Sequence, residues 1–152
     1  MLKILAAFLV VTALTTFEAV EAKKDLWLTD YQAAVAKATK ENKPLLLNFT
    51  GSDWCGWCIK LKKEVFDTKE FKEWAEKKVV LLEVDFPSKK PLEAKTKTQN
   101  TELQTRFTVQ GFPTIVFLNP TGLNKLGDFG YAEGGPKPWT EKVDAILAAA
   151  AK

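Results

Sequence analysis

The sequence predicts an α/β fold, in which helices flank a central sheet. Three apolar runs, at Leu45–Phe49, Val79–Phe86 and Thr114–Leu118, predict strands, and segments with helical periodicity lie between them. A strand, a helix and a second strand in that order are typical of a parallel crossover. We therefore expect one domain built on a mixed sheet of four to five strands.

The first predicted helix runs from about residue 30 to residue 42. Thr29 and Gln32 fit a capping box, in which each side chain accepts a backbone N–H at the helix start, and Pro44 ends the helix. Its apolar face consists of Tyr31, Ala34, Val35 and Ala38. The run Leu45–Phe49 that follows is apolar without alternation, which predicts a strand covered on both faces.

A second helix is expected to begin at about Cys55, after a loop over residues 50–54. Its candidate buried residues are Ile59, Leu61, Val65 and Phe66. Thr68 is the predicted N-cap of a further helix, which leads into the strand Val79–Phe86.

The second half of the chain begins with a segment rich in lysine, proline and threonine. Residues 87–98 have no apolar periodicity, so we predict a loop or insertion there, followed by a helix at about residues 101–107. Asn119–Gly122 predicts a turn after the third strand. The glycine-rich segment from there to Tyr131 predicts an antiparallel edge strand, and Pro138 begins the last helix.

The N-terminal segment has the features of a secretory signal peptide. Lys3 precedes the apolar run Ile4–Leu14, which is shorter than the roughly 20 residues that span a bilayer as a helix. Val20 and Ala22 are small residues at the two positions that a signal peptidase recognises, so we expect cleavage after Ala22. Residues 1–22 would then be removed. Residues 23–152 would form one exported domain, periplasmic or secreted, that does not span the membrane and is a monomer.

The composition excludes several classes of chemistry. The chain has no histidine and only two cysteines, so a nucleophile activated by histidine is excluded, and two thiolates cannot fill the four positions of a structural zinc. A metal shared between two chains stays formally open, but we expect neither a metal nor a cofactor. The formal net charge of +3 is not clustered among aromatic residues, so we expect no nucleic-acid partner.

Cys55 and Cys58 lie two residues apart at a predicted junction between a strand and a helix. Unpaired N–H groups and the helix dipole favour an anion there, so we expect Cys55 to be the nucleophile and Cys58 the resolving cysteine. A purely structural disulfide is the alternative. A bridge that closes a loop of about four residues stabilises by only about 2 kcal/mol, against nearly 5 kcal/mol for about a hundred residues. This difference favours redox chemistry.

Three segments, Leu45–Phe49, Trp54–Cys58 and Gly111–Thr114, together resemble the thioredoxin superfamily. The resemblance covers most of residues 25–150 and is greatest to exported bacterial proteins with a helical insertion before the Gly-x-Pro-Thr element. It implies a thioredoxin fold and a thiol-disulfide oxidoreductase that exchanges disulfides with client proteins and with a redox partner protein, without a cofactor. The alternative is a partner-binding module of the same fold with idle cysteines.

The resemblance also implies roles for the residues around the cysteines. The Phe112–Pro113 bond would be a cis peptide bond that presents the backbone of Phe112 to an extended substrate segment. Trp54, Gly56 and Trp57 would line the substrate-binding surface. The alternatives are an ordinary proline at a strand entry and tryptophans that only pack.

Two positions depart from the family pattern. Many thioredoxins have proline where Trp57 stands and a buried acid where Asn48 stands. Because an asparagine cannot accept a proton, we expect deprotonation of Cys58 to rely on water or on another carboxylate such as Asp53. The Cys-Gly-Trp-Cys run lacks a basic residue that would strengthen a thiolate, which favours reduction over oxidation.

Overall fold

Five strands and five α-helices make up residues 25–150, the part of the chain that the computed structural model describes. The predicted signal peptide at residues 1–22 lies outside the described residues. The strands are β1 (Trp27–Leu28), β2 (Leu45–Thr50), β3 (Val80–Asp85), β4 (Thr114–Leu118) and β5 (Lys125–Phe129). The helices are α1 (Tyr31–Glu41), α2 (Gly56–Leu61), α3 (Lys69–Lys78), α4 (Ala94–Arg106) and α5 (Pro136–Ala150). A π-helical segment, Lys62–Phe66, continues α2.

The strands form one mixed sheet in the order β1-β3-β2-β4-β5. β2 is central, parallel to β3 and antiparallel to β4, and Asn48 on β2 lies opposite Glu83 on one side and Ile115 on the other. β5 pairs antiparallel with β4 at one edge of the sheet. The predicted α/β class, the parallel crossover and the antiparallel edge strand are confirmed.

The two faces of the sheet are covered by different kinds of side chain. α1 and α4 cover a largely aliphatic face, to which Leu45 and Leu47 of β2 contribute. α2, the π-helical segment, α3 and α5 cover the other face, which includes Leu46 and a group of aromatic rings around the fully buried Trp139. β2 is therefore covered on both faces, as its continuous apolar run predicted.

The predicted capping box of α1 is wrong. The N-cap is Asp30, whose carboxylate accepts the backbone N–H of Ala33 at 2.9 Å. The backbone carbonyl of Thr29 instead accepts a hydrogen bond from the Gln99 side chain. A carboxylate one residue later serves as an N-cap at least as well as the threonine hydroxyl. In contrast, the Thr68 cap of α3 is confirmed, since its hydroxyl accepts the Phe71 N–H at 3.2 Å.

The predicted loop over residues 87–98 is wrong in its second half. α4 already begins at Ala94, seven residues before the predicted start at Thr101. The helix buries few apolar side chains, and its fully buried Asn100 donates from Nδ2 to the backbone carbonyl of Asp85 at 2.8 Å. A helix held largely by polar contacts does not need a continuous apolar face. Its sequence therefore lacks the apolar periodicity from which a helix is predicted.

Two further details differ from the sequence predictions. Ile59 was predicted to be buried but is 47% exposed, whereas Leu61, Val65 and Phe66 are buried as expected. The change from α-helical to π-helical hydrogen bonding at Lys62 and the short strand β1 were not predicted. Both involve too few residues to produce a recognisable sequence period.

Candidate active site

The two cysteines lie at the start of α2, directly after the loop that leaves the central strand. Cys55 is the N-cap residue, and its sulfur accepts the backbone N–H of Cys58 at a distance of 3.3 Å. The N–H of Cys55 donates to the carbonyl of Gly51 at 2.9 Å, which closes the loop into a turn. A Cβ atom at position 51 would collide with the indole ring of Trp54, so glycine at this position lets the indole ring lie against the turn.

Cys55 and Cys58 are joined in a disulfide, with their Cα atoms 5.2 Å apart. The exposed fraction is 8% for Cys55 and 4% for Cys58, so the first cysteine is the more accessible. The N–H of Cys58 that reaches the Cys55 sulfur would stabilise negative charge on that atom once the disulfide is reduced.

Two aspartates hold the loop before the cysteines in place. Asp85, at the end of β3, accepts the backbone N–H of Ser52 at 2.9 Å and its hydroxyl at 2.6 Å. Asp53 accepts the N–H groups of Ser88 and Lys89 at 2.9 and 2.7 Å. The Ser88 N–H lowers the pKa of Asp53 most, assisted by Lys89 and the charge of Lys90. The Asp53 carboxylate therefore ties two loops together.

Aromatic rings surround the outer side of the disulfide. Trp54 is 50% exposed, donates from its indole nitrogen to the carbonyl of Phe86 at 2.7 Å, and makes an edge contact with Phe112. Phe112 in turn stacks on the ring of Phe86. The peptide bond between Phe112 and Pro113 is cis, as the resemblance implied.

Trp57, between the two cysteines, is the most exposed large apolar side chain among the described residues, at 57%. Its ring packs against Tyr131 with centroids 5.2 Å apart, and the Lys60 ammonium lies over both rings. The Tyr131 hydroxyl donates to the Glu64 carboxylate at 2.7 Å, which raises the pKa of Tyr131. A Cβ atom added at Gly56, between the two cysteines, would meet no other atom within 4 Å, so the space beside this residue is open. We call Trp54, Trp57 and Phe112 the aromatic rim.

A small cavity of about 20 Å³ lies on the inner side of the disulfide; Cys58, Asn48, Thr50, Lys62 and Glu83 are among its lining residues. Asn48 is 6% exposed, and its Oδ1 atom has no hydrogen-bond partner among the described residues. Burial raises the pKa of Glu83, and the nearby Asp85 raises it further. We call this space the inner cavity. The sequence pattern indicated Asn48 but not Glu83, although Glu83 is the only charged residue before Asp85 in its apolar strand.

A family model described as a thioredoxin-like domain matches residues 31–133 of this chain. The chain belongs to the thioredoxin-like family. The match extends from the start of α1 to the segment after β5 and includes both cysteines and the Phe112–Pro113 bond.

Two curated relatives from Chlamydia pneumoniae resemble this thioredoxin-like chain over most of its length. The disulfide bond reductase DsbH is 36% identical over 83% of this chain and 75% of its own length. The thioredoxin-related protein DsbJ is 34% identical over 88% of this chain, but the match covers only 40% of DsbJ. A solved structure of a DsbH oxidoreductase superposes with a TM-score of 0.77 at 34% identity, covering 90% of this chain and 94% of that one.

These matches, together with the cysteine pair, confirm the predicted thioredoxin fold and thiol-disulfide oxidoreductase chemistry. Within residues 25–150, no helix has the length and apolar character needed to cross a bilayer. The same residues contain no group of three or more histidine, cysteine, aspartate or glutamate side chains that could hold a metal ion.

Proposed function

We propose that this protein is an exported disulfide reductase that acts on protein clients, with Cys55 as the nucleophile and Cys58 as the resolving cysteine. The observation that carries these roles is the position of Cys55 at the start of α2, with the Cys58 N–H donating to its sulfur. The lower exposure of Cys58 agrees with a thiol that meets only the sulfur of its neighbour.

The proposed reaction is a two-step exchange. The Cys55 thiolate attacks one sulfur of a client disulfide, forming a mixed disulfide and releasing the other client thiolate. The Cys58 thiolate then attacks the Cys55 sulfur, which restores the Cys55–Cys58 bond and expels the second client thiolate. The client gains two electrons and the cysteine pair loses them, so a redox partner protein must reduce the pair again.

Two observations support reduction of clients. The relative with 36% identity is named a disulfide bond reductase, and no basic side chain stands between Cys55 and Cys58 to stabilise a thiolate strongly.

The aromatic rim is the proposed client-binding surface. Trp54 is fixed by its hydrogen bond to Phe86, and Trp57 is fixed by its ring contact with Tyr131. Exposed aromatic rings that are already held in place bind a partner with little loss of side-chain entropy. Phe112, Pro113 and Gly56 complete this surface, on which an extended client segment would lie.

The proposal is tested by trapping clients in the native compartment. In Cys58→Ser the mixed disulfide on Cys55 cannot be resolved, so we expect disulfide-linked client proteins, whereas the matched Cys55→Ser control should trap none. In vitro, both variants should lose insulin reduction with dithiothreitol. Equal trapping by the two variants would contradict the assigned roles.

The same trapped complexes test export. If the predicted signal peptide is removed, the protein recovered from the exported fraction should begin at Lys23, the residue after Ala22. N-terminal sequencing of the complexes measures this directly. A chain that keeps residues 1–22 and fractionates with the cytoplasm would contradict the proposed location.

A further inference from the structure

Among the residues that line the inner cavity together with Cys58, Glu83 is the one that carries a carboxylate. Glu83 lies on β3 directly opposite Asn48 of β2, and the same cavity is lined by Cys58 from α2. Asp53, the carboxylate that the sequence suggested, is not among the lining residues, and both of its oxygens already accept backbone N–H groups.

We propose that Glu83 accepts the proton of the Cys58 thiol, through a water molecule in the inner cavity, as Cys58 attacks the mixed disulfide on Cys55. This inference rests on the resolving role proposed above. The proton passes from the Cys58 sulfur to the water, and a proton of that water passes to the Glu83 carboxylate. The Cys58 sulfur forms its bond to Cys55 while the client thiolate leaves with the electron pair.

The cavity has the size and the polar groups that such a relay needs. Its volume of about 20 Å³ exceeds the roughly 10–15 Å³ that one water molecule requires. Asn48 lines this space, and its buried Oδ1 atom has no hydrogen-bond partner among the described residues, so this atom keeps an unused capacity to accept a hydrogen bond. Thr50 is a further polar residue that lines the same space.

The charges around Glu83 act in both directions on its proton affinity. Burial is the main reason that the pKa of Glu83 is raised, and Asp85 on its own strand and Asp25 before β1 raise it further. Lys62 of the π-helical segment and Lys90 of the loop before α4 lower it. β2 contributes the neutral Asn48 at the facing position. A carboxylate with a raised pKa lies closer to a thiol in proton affinity and is therefore a better acceptor.

The test separates the two cysteines by reacting the reduced protein with 5,5′-dithiobis(2-nitrobenzoate) in a stopped-flow instrument. Attack by Cys55 releases one nitrothiobenzoate in a second-order phase. Attack by Cys58 on the resulting mixed disulfide releases the other in a first-order phase that does not depend on reagent concentration. In Glu83→Gln we expect the first-order phase at pH 7 to slow about a hundredfold, the lower end of the contribution of a positioned proton acceptor. The second-order phase should change less than about twofold.

The pH profile distinguishes proton acceptance from a structural role. As the pH rises toward 10, hydroxide becomes available to accept the Cys58 proton in place of the carboxylate, so the difference between the first-order phases of Glu83→Gln and wild type should shrink. The double variant Asn48→Asp/Glu83→Gln returns a carboxylate to the cavity from the facing strand position and should recover most of the rate at pH 7. The comparison variant Asp53→Asn removes the carboxylate that the sequence suggested and should slow the first-order phase far less than Glu83→Gln does.

Three kinetic results would overturn the inference. They are a first-order phase in Glu83→Gln within twofold of wild type at pH 7, a deficit that is as large at pH 10 as at pH 7, and a double variant that recovers nothing. Failure of the proposed function would look different, because the second-order phase assigned to Cys55 would then be missing from wild type.

The Glu83→Gln variant is expected to fold. Because the pKa of Glu83 is raised in the folded protein, folding stability falls as the pH rises from the usual glutamate pKa through this raised value. Glutamine removes a charge that burial disfavours. A wild-type measurement gives an independent check, since the carboxyl pKa of Glu83, followed by NMR, should differ between the reduced and the disulfide forms. An identical pKa in both forms would also overturn the inference.

Discussion

The outer and inner sides of the Cys55–Cys58 pair differ in exposure and in chemistry. On the outer side, Trp54 and Trp57 expose half or more of their surfaces beside an open space. On the inner side, Asn48 and Glu83 line a cavity of about 20 Å³. The outer side therefore suits the proposed binding of clients, and the inner side suits the proposed transfer of a proton from Cys58. The difference explains how one short helix can serve both tasks.

The largest expected effect is on the free energy of unfolding, and it distinguishes the buried side of α2 from its exposed side. Leu61→Ala removes a fully buried side chain from the aromatic core and should lower the free energy of unfolding by about 2–5 kcal/mol. Ile59→Ala, two residues earlier, removes a side chain that is 47% exposed and should cost less than about 1 kcal/mol. Urea unfolding measures both, and equal losses would contradict the assigned faces.

An intermediate effect is expected from Trp57→Ala on the outer side. Loss of an exposed aromatic contact should reduce kcat/KM for a protein disulfide about tenfold, equivalent to about 1.4 kcal/mol. The second-order reaction with a small aromatic disulfide should change less than about twofold, because the sulfurs are untouched. The matched control Tyr131→Phe keeps the ring that packs against Trp57 and loses only the hydroxyl that binds Glu64. Equal losses for large and small substrates would contradict a client-binding role.

The smallest effect is expected from Asp53→Asn, which lies on neither side of the pair. Because hydrogen bonds from Ser88 and Lys89 lower its pKa, the ionised Asp53 stabilises the folded protein above the usual aspartate pKa. This contribution is lost as the pH falls through the lowered value. We expect a small decrease in the urea midpoint at pH 7 that disappears in strong acid. An equal decrease at both pH values would contradict the electrostatic explanation.

The sequence was most informative where one kind of signal dominates a segment. The apolar runs of β2 and β4 predicted both strands, and the spacing of Cys55 and Cys58 before a helix predicted the reactive pair. The start of α4 was not predicted, because Asn100 holds that helix through a hydrogen bond to the Asp85 backbone rather than through an apolar face. Hydrophobic periodicity carries no information about such a contact.

The inner cavity shows a second limit of the sequence. Asn48 was recognised as a departure because a family pattern exists at that position. Glu83 became meaningful only through the sheet register, which places it opposite Asn48 on the neighbouring parallel strand. Register between distant strands depends on the whole fold and is not encoded in either strand alone.

The edge strand β5 has a consequence for the behaviour of the protein at high concentration. An unpaired strand edge can template intermolecular sheets and so lead to aggregation. β5 has only five residues, carries the ion pair between Lys125 and Asp128, and contains a bulge at Leu126, since Phe117 pairs with Gly127 and Leu118 with Lys125. A short, charged and irregular edge is a poor template for a second chain. A protein proposed to bind clients is thereby less prone to form intermolecular sheets with them.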